Sequence, residues 1–65
     1  MPMCSLYKGD KTHVYEIDYG EFNSLHLVLE IGITHHQFEL PEDMDREEAA
    51  DFAKKLEKVI NEYLQ

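Results

Sequence analysis

The sequence predicts a two-layer α+β fold, in which a four-stranded antiparallel meander carries one C-terminal α-helix on one face. Three observations predict this fold. Hydrophobic residues alternate over the first two thirds of the chain, turn signals interrupt the alternation, and the last third changes to a helical period. The strands are expected at about 2–8, 12–19, 24–31 and 34–40, and the helix at about 45–64. Residues 1–65 are expected to form a single domain, since separate cores usually need on the order of 100 residues each.

The first hairpin is expected to turn at Gly9-Asp10, a residue pair that tolerates positive φ. A two-residue turn there would set Cys4 opposite Tyr15, on the side of the sheet that the helix covers. Because side chains alternate along a strand, Val14 would then face away from the helix.

The second hairpin has a more specific pattern. Leucines alternate along its first strand, and the hydrophobic residues of its second strand, Phe38 and Leu40, have the opposite parity. A two-residue turn at Gly32-Ile33 accounts for this change, because it sets Leu27 against Phe38. Glycine at the first central position is what a type II′ turn requires. A slip of one residue would move both hydrophobic residues to the other face of the sheet.

The C-terminal segment has the signals of one helix. Asp45 is the expected N-cap, and Glu48, three residues later, completes the capping-box pattern. Hydrophobic residues recur at steps of three and four and form one stripe, at Ala49, Phe52, Ala53, Leu56, Val59, Ile60, Tyr63 and Leu64. This stripe is expected to pack on the leucine face of the sheet.

One helix covers one face of a sheet, so the other face is predicted to be open to a partner. The expected interface residues are Met3, Tyr7, Val14, Val28, His35 and Gln37. An ordinary solvated face is the alternative, since antiparallel sheets commonly have one. The edge of the fourth strand is a second place for pairing of two copies, because it has neither Pro nor Lys, unlike the first strand. A homodimer is therefore predicted, through either the face or this edge.

The four histidines raise the question of a metal site. In the expected register, His26 lies between Asp18 and Glu39 on the neighbouring strands, about 5 Å from each. Together with His35, these residues are the candidates for a weak metal site. Ion pairing across the strands is the favoured interpretation, because structural zinc sites use converging ligands that usually include Cys. No cofactor is expected.

Catalysis is not expected either. The chain contains no Gly-rich phosphate loop, no CxxC and no HExxH motif. Cys4 and His36 would lie on opposite edge strands, roughly 14 Å apart by the strand spacing, which is too far for a nucleophile and its base. Ser5 has no expected partner constellation. The sequence therefore predicts a protein that is not an enzyme.

The charge of the chain argues against nucleic acid as a partner. Asp and Glu number 14 against 6 Lys and Arg, which gives a formal net charge of −8. A meander followed by a helix is similar in topology to several small single-strand-binding modules, but such modules rely on a basic groove. Here the uncovered face is expected to hold five acids and no Lys or Arg. These acids are Glu16, Asp18, Glu21, Glu30 and Glu39.

The composition also bears on location and stability. No run approaches the roughly 20 apolar residues of a membrane-spanning helix, so no membrane partner is expected. One thiol and no basic-then-apolar leader favour the cytoplasm. A single cysteine cannot form an internal disulfide, so a domain of this size needs another source of stability, such as a second subunit.

The sequence therefore predicts a small acidic, non-enzymatic protein that acts as a protein–protein interaction module and as a homodimer. Its charge favours an adaptor or inhibitor that docks on a basic surface of another protein. Two alternatives stay open. One is a weak metal-binding protein with histidine and carboxylate ligands, and the other is a single-stranded nucleic-acid-binding module.

Overall fold

The computed structural model describes residues 2–64, and it has the predicted α+β fold. Four strands precede one helix: β1 (Met3–Lys8), β2 (Thr12–Asp18), β3 (Asn23–Ile31), β4 (Thr34–Glu39) and α1 (Arg46–Tyr63). The strands form one antiparallel sheet in the order β1-β2-β3-β4, and α1 packs on one face of it. Met1 and Gln65, which the predicted domain includes, lie outside the described residues.

The β3–β4 hairpin has the predicted register. Leu27 lies opposite Phe38, and Ile31 lies opposite Thr34 on the two sides of the turn. Gly32 has φ +61, as the first central position of a type II′ turn requires. The alternation of leucines in β3 therefore determined both the pairing and the face of β4.

The β1–β2 turn is longer than the two residues predicted, because pairing of the strands ends at Lys8 and His13. Because of this longer turn and of a β-bulge further along β1, the expected pairing of Cys4 with Tyr15 is wrong, and Cys4 lies opposite Glu16.

β2 presents to the helix the face opposite to the one expected. Val14 lies opposite Leu27 and is 0% exposed, so its predicted place on the uncovered face is wrong. Tyr15 instead occupies the uncovered face, opposite His26. A β-bulge between Ser5 and Tyr7 shifts the register of β1 as well, and Tyr7 packs against the core rather than facing away from it.

The core lies between α1 and the side of the sheet that carries the leucines. Its buried residues are Val14, Leu27, Leu40, Ala49 and Ala53, with Leu6, Tyr7, Leu25, Leu29, Met44 and Leu56 packed around them. The residues that α1 contributes to the centre of this cluster, Ala49 and Ala53, have small side chains, so the backbone of α1 can approach the sheet closely.

The helix begins as predicted. Asp45 has extended backbone angles, and its Oδ1 accepts the N–H of Glu48 at 2.8 Å. A carboxylate at this position satisfies a free N–H group of the first turn and interacts favourably with the helix dipole. At the other end, the N–H of Leu64 donates to the carbonyl of Ile60 at 2.7 Å.

The orientation of β2 follows from a buried carboxylate on α1. Glu57 is 9% exposed, and its Oε1 accepts the N–H of Lys11 at 3.0 Å and the N–H of Thr12 at 2.9 Å. The hydroxyl of Thr12 lies 2.9 Å from the same oxygen. Because Thr12 must face the helix to make these bonds, Val14, two residues later, faces the helix too.

Gly9 provides the space for this contact. A Cβ added at Gly9 would overlap the carboxylate of Glu57 and would lie 2.7 Å from the hydroxyl of Tyr7. The positive φ that the turn signal suggested is found at Gly20 and Gly32 and not at Gly9. The glycine is needed here because the carboxylate lies against the turn.

Burial and hydrogen bonding act on Glu57 in opposite directions. Burial disfavours the ionised carboxylate, but the hydrogen bonds from the backbone of Lys11, from Thr12 and from Asn61 outweigh it. The pKa of Glu57 is consequently lowered below its ordinary value. The ionised form therefore stabilises the fold at neutral pH.

The variant Glu57→Gln should lower the free energy of unfolding by about 1–3 kcal/mol at pH 7, because it leaves buried N–H groups without an anionic acceptor. Since the pKa of Glu57 is lowered in the folded state, this contribution is fully present above about pH 4.5, the ordinary pKa of a glutamate. It is lost as the pH falls through the lowered pKa. Urea unfolding at pH 7 and at about pH 3 measures both effects, with the exposed Glu62→Gln as the matched control. An equal loss in the two variants would contradict the assignment.

Two substitutions test the orientation of β2, in which Val14 faces the helix. Val14→Ala should cost about 2 kcal/mol of stability, because it leaves a cavity in the core. Val28→Ala, a matched change on the uncovered face, should cost less than about 1 kcal/mol. Thermal unfolding of the two variants compares them, and a larger loss for Val28 would restore the orientation that the sequence predicted.

Candidate docking surface

On the face of the sheet that carries α1, the helix does not reach β4. Within the described part of the chain, the backbone of α1 approaches β1, β2 and β3 but not β4, and all six residues of β4 are exposed. A helix with its side chains is about 10 Å wide, whereas four strands at about 4.8 Å spacing form a wider sheet. One helix therefore cannot cover the whole face.

Hydrophobic residues line the gap between α1 and β4. The gap is a groove of about 430 Å³, lined by Leu27, Leu29, Phe38, Leu40, Pro41, Met44, Phe52 and Leu56. Phe38 is 49% exposed, and Phe52 is exposed on the opposite wall. Val59 and Tyr63 continue the exposed apolar surface along the helix. Contiguous apolar surface of this kind marks interaction sites in soluble proteins.

The sequence assigned these helix residues to the core. The buried residues of α1 are Ala49, Ala53, Glu57 and Ile60, which form one arc of the helix surface. Phe52, Val59 and Tyr63 lie on the side of the hydrophobic stripe away from Glu57 and remain exposed. The spacing of Glu57, four residues after Ala53 and three before Ile60, places a carboxylate on the same arc of the helix. This spacing was the one feature of the sequence that indicated how α1 is rotated.

The two edges of the sheet differ. On β1, the bulge, Pro2 and the exposed Lys8 discourage pairing with another strand. β4 has none of these features, and its register with β3 is regular throughout. The edge of β4 is therefore open to a further strand.

The uncovered face, which is the face of the sheet opposite α1, has two stacked aromatic rings at its centre. The ring of Tyr15 stacks on His26, with centroids 5.2 Å apart and planes 12° apart. Nε2 of Gln37 lies 3.4 Å from Nδ1 of His26. His26 is only 8% exposed, and its Nε2 is buried without a hydrogen-bond partner among residues 2–64. The centre of this face is thus closed by the side chains of the chain itself.

The predicted interface residues divide between the two faces. Alternation along the strands places Met3, Val28, His35 and Gln37 on the uncovered face. Tyr7 and Val14 face the helix, so their expected place in an interface on the uncovered face is wrong.

The structure does not assemble the candidate metal ligands. His26 lies opposite Glu39, as predicted, but Asp18 lies opposite Asn23 at the end of β2 and not beside His26. His35 lies opposite Glu30, four residues further along the sheet from the pair of His26 and Glu39. Across residues 2–64, no group of three His, Cys, Asp or Glu side chains is placed to hold a metal ion.

The uncovered face is less acidic than predicted. Glu16 faces the helix, where it forms an ion pair with Arg46 at 2.8 Å, and Lys8 shares the uncovered face with His13. The expectation that this face holds five acids and no lysine is therefore wrong. The net charge of −8 still opposes association with a nucleic acid.

One polar pair in the structure is not among the contacts that the sequence predicted. The hydroxyl of Ser5 lies 3.0 Å from Nε2 of His13 on the uncovered face. A serine nucleophile also needs a group that orients its base and donors for an oxyanion. In the described residues no carboxylate bonds to His13, and neither residue lines the apolar groove between α1 and β4. Neither residue lines the second cavity either, which has about 720 Å³ and lies at the start of α1 between Ser24, Glu39 and Arg46. This pair forms a cross-strand contact and not an assembled active site.

No protein-family model, no curated protein and no solved structure matches this chain at a significant level. Within residues 2–64, no helix combines the length and the hydrophobicity needed to cross a membrane.

The unpartnered nitrogen of His26 leads to a prediction. His26→Phe should change stability by less than about 0.5 kcal/mol, because it keeps the stacking on Tyr15 and removes a buried polar atom that has no partner. His26→Ala should cost about 2 kcal/mol, because it removes the ring as well. Thermal unfolding compares the two. A loss of about 2 kcal/mol in the Phe variant would show that Nε2 has a partner in solution.

Proposed function

We propose that the chain is a non-enzymatic protein–protein interaction module that works as a homodimer. The observation that supports this most directly is the apolar groove between α1 and β4, with Phe38 about half exposed on one wall and Phe52 on the other. A domain of about 60 residues buries little surface on its own, so a second copy against this side would add the buried area it lacks.

The β4 side suits this role better than the uncovered face. On the uncovered face, His26 is covered by Tyr15 and Gln37, and Val28 is partly buried. Met3 is well exposed there, but it lies on β1, the edge strand whose bulge, Pro2 and Lys8 discourage pairing. The β4 side offers an exposed strand and an exposed apolar groove next to each other. Of the six residues predicted for the interface, His35 and Gln37 lie in β4 itself.

Docking on a basic surface of another protein, as an adaptor or inhibitor, stays a prediction from the net charge of −8. Two ion pairs within the chain, Arg46 with Glu16 and Lys55 with Asp51, use two acids and two bases, so the excess of acids remains for a partner. Binding to such a partner would weaken as the ionic strength rises.

Light scattering over a concentration series tests the homodimer. The wild type should approach twice the chain mass of 7.7 kDa at high micromolar concentration. Phe38→Lys should weaken the dimer by about tenfold or more in dissociation constant, because it places a charge between the groove and the β4 edge. Met3→Lys is the matched control on the opposite edge strand and should leave the mass unchanged. A wild type that stays at the mass of one chain throughout would overturn the proposed function.

A further inference from the structure

We propose that the two copies join through β4 of each, as an antiparallel pair centred on Gln37, with His35 opposite the partner subunit's Glu39. This inference rests on the proposed function, and it names the partner as a second copy and gives the register of the contact. The result is one continuous eight-stranded sheet.

The backbone of β4 fixes which residues can take part. The N–H of Leu40 donates to the carbonyl of Leu25 at 2.8 Å, on the β3 side. In a regular antiparallel pair, alternate residues direct both N–H and C=O to the same neighbour. The even-numbered residues of β4 therefore bond to β3, and His35, Gln37 and Glu39 direct their backbone groups outward.

Two-fold symmetry then restricts the register. An axis perpendicular to the sheet pairs a strand with its own copy in antiparallel direction, and it keeps every side chain on its own face. Outward residues must therefore pair with outward residues. A pair centred on Gln37 uses all three of them, with two hydrogen bonds for each residue pair. A centre at His36 leaves Glu39 beyond the partner strand, and a centre at Phe38 places His35 opposite Pro41, which has no N–H.

The side chains fit the same register. Within one chain, Glu39 lies opposite His26, and His35 lies opposite Glu30. The pair centred on Gln37 places Glu39 next to the partner subunit's His35, so histidine and glutamate alternate across four strands of the joined sheet. An imidazole and a carboxylate on directly facing strand residues are close enough to form a favourable cross-strand pair.

The helix side of the sheet also gains contacts. In this register His36 lies opposite the partner subunit's Phe38, whose ring is 49% exposed in one chain. The imidazole covers part of that ring. Both helices lie on the same face of the joined sheet, with the two β4 strands and the two apolar grooves between them.

Cysteine cross-linking tests the register directly. In a Cys4→Ser background, Gln37→Cys places two thiols on the two-fold axis with Cα atoms about 5.5 Å apart, within the range of a disulfide. His36→Cys is the matched control, since both positions are exposed in β4. Its two copies would lie about 8 Å apart, because they are offset by two residues. Under mild oxidation, Gln37→Cys should cross-link at least about ten times faster than His36→Cys.

A second variant tests the edge independently of disulfide chemistry. Gln37→Pro removes an N–H that points away from β3, so the chain should keep its fold by circular dichroism but lose the dimer by light scattering. A dimer that survives Gln37→Pro overturns the β4 contact and leaves the proposed function standing with another interface. Faster cross-linking at His36 than at Gln37 overturns the register in the same way. A wild type that is monomeric overturns both this inference and the proposed function.

Discussion

The carboxylate of Glu57 determines which side of α1 is buried, and the rest of the architecture depends on it. It binds the backbone of Lys11 and Thr12 at the start of β2, at distances of 2.9–3.1 Å. An ionised group is costly to bury, and this one is stable in its place because several donors surround it. The bond joins residues more than forty positions apart in the chain and draws the second half of α1 towards the β1–β2 turn.

The open surface is a consequence of that position. With Glu57 held against the turn, α1 covers β1, β2 and β3, and the hydrophobic residues on its far side are exposed. Phe52 then lines a groove whose other wall includes Phe38. A helix turned so that its hydrophobic stripe were centred on the sheet would bury Phe52 and leave Glu57 in water. The fold thus gives up part of its hydrophobic burial to satisfy a polar contact, and the exposed remainder is the surface we assign to a partner.

The sequence predicted the elements whose signals are local. The β3–β4 register follows from the parity of Leu27 and Phe38 on the two sides of a glycine, and the start of α1 follows from Asp45. Both depend on residues that are close in the chain, so the pattern alone contains the information.

The orientation of β2 could not be predicted in this way. Alternation gives two faces to a strand but does not say which face meets the helix, and both parities of β2 contain hydrophobic residues, such as Val14 and Tyr15. The deciding contacts come from Glu57, which is distant in sequence, and from a bulge near Ser5 that shifts β1. The candidate surface was predicted only in part for the same reason. The free edge of β4 follows from its composition, whereas the groove depends on how α1 is rotated, which the hydrophobic stripe alone does not show.

Amide hydrogen exchange followed by NMR on the dilute wild-type protein tests the central claim most directly. If Glu57 holds the β1–β2 turn to α1, the amides of Lys11 and Thr12 exchange as slowly as core amides such as that of Val14, while the neighbouring amide of Asp10 exchanges quickly. Exchange of Lys11 and Thr12 at the rate of an unprotected loop would contradict the claim, because the carboxylate would then not be holding the turn.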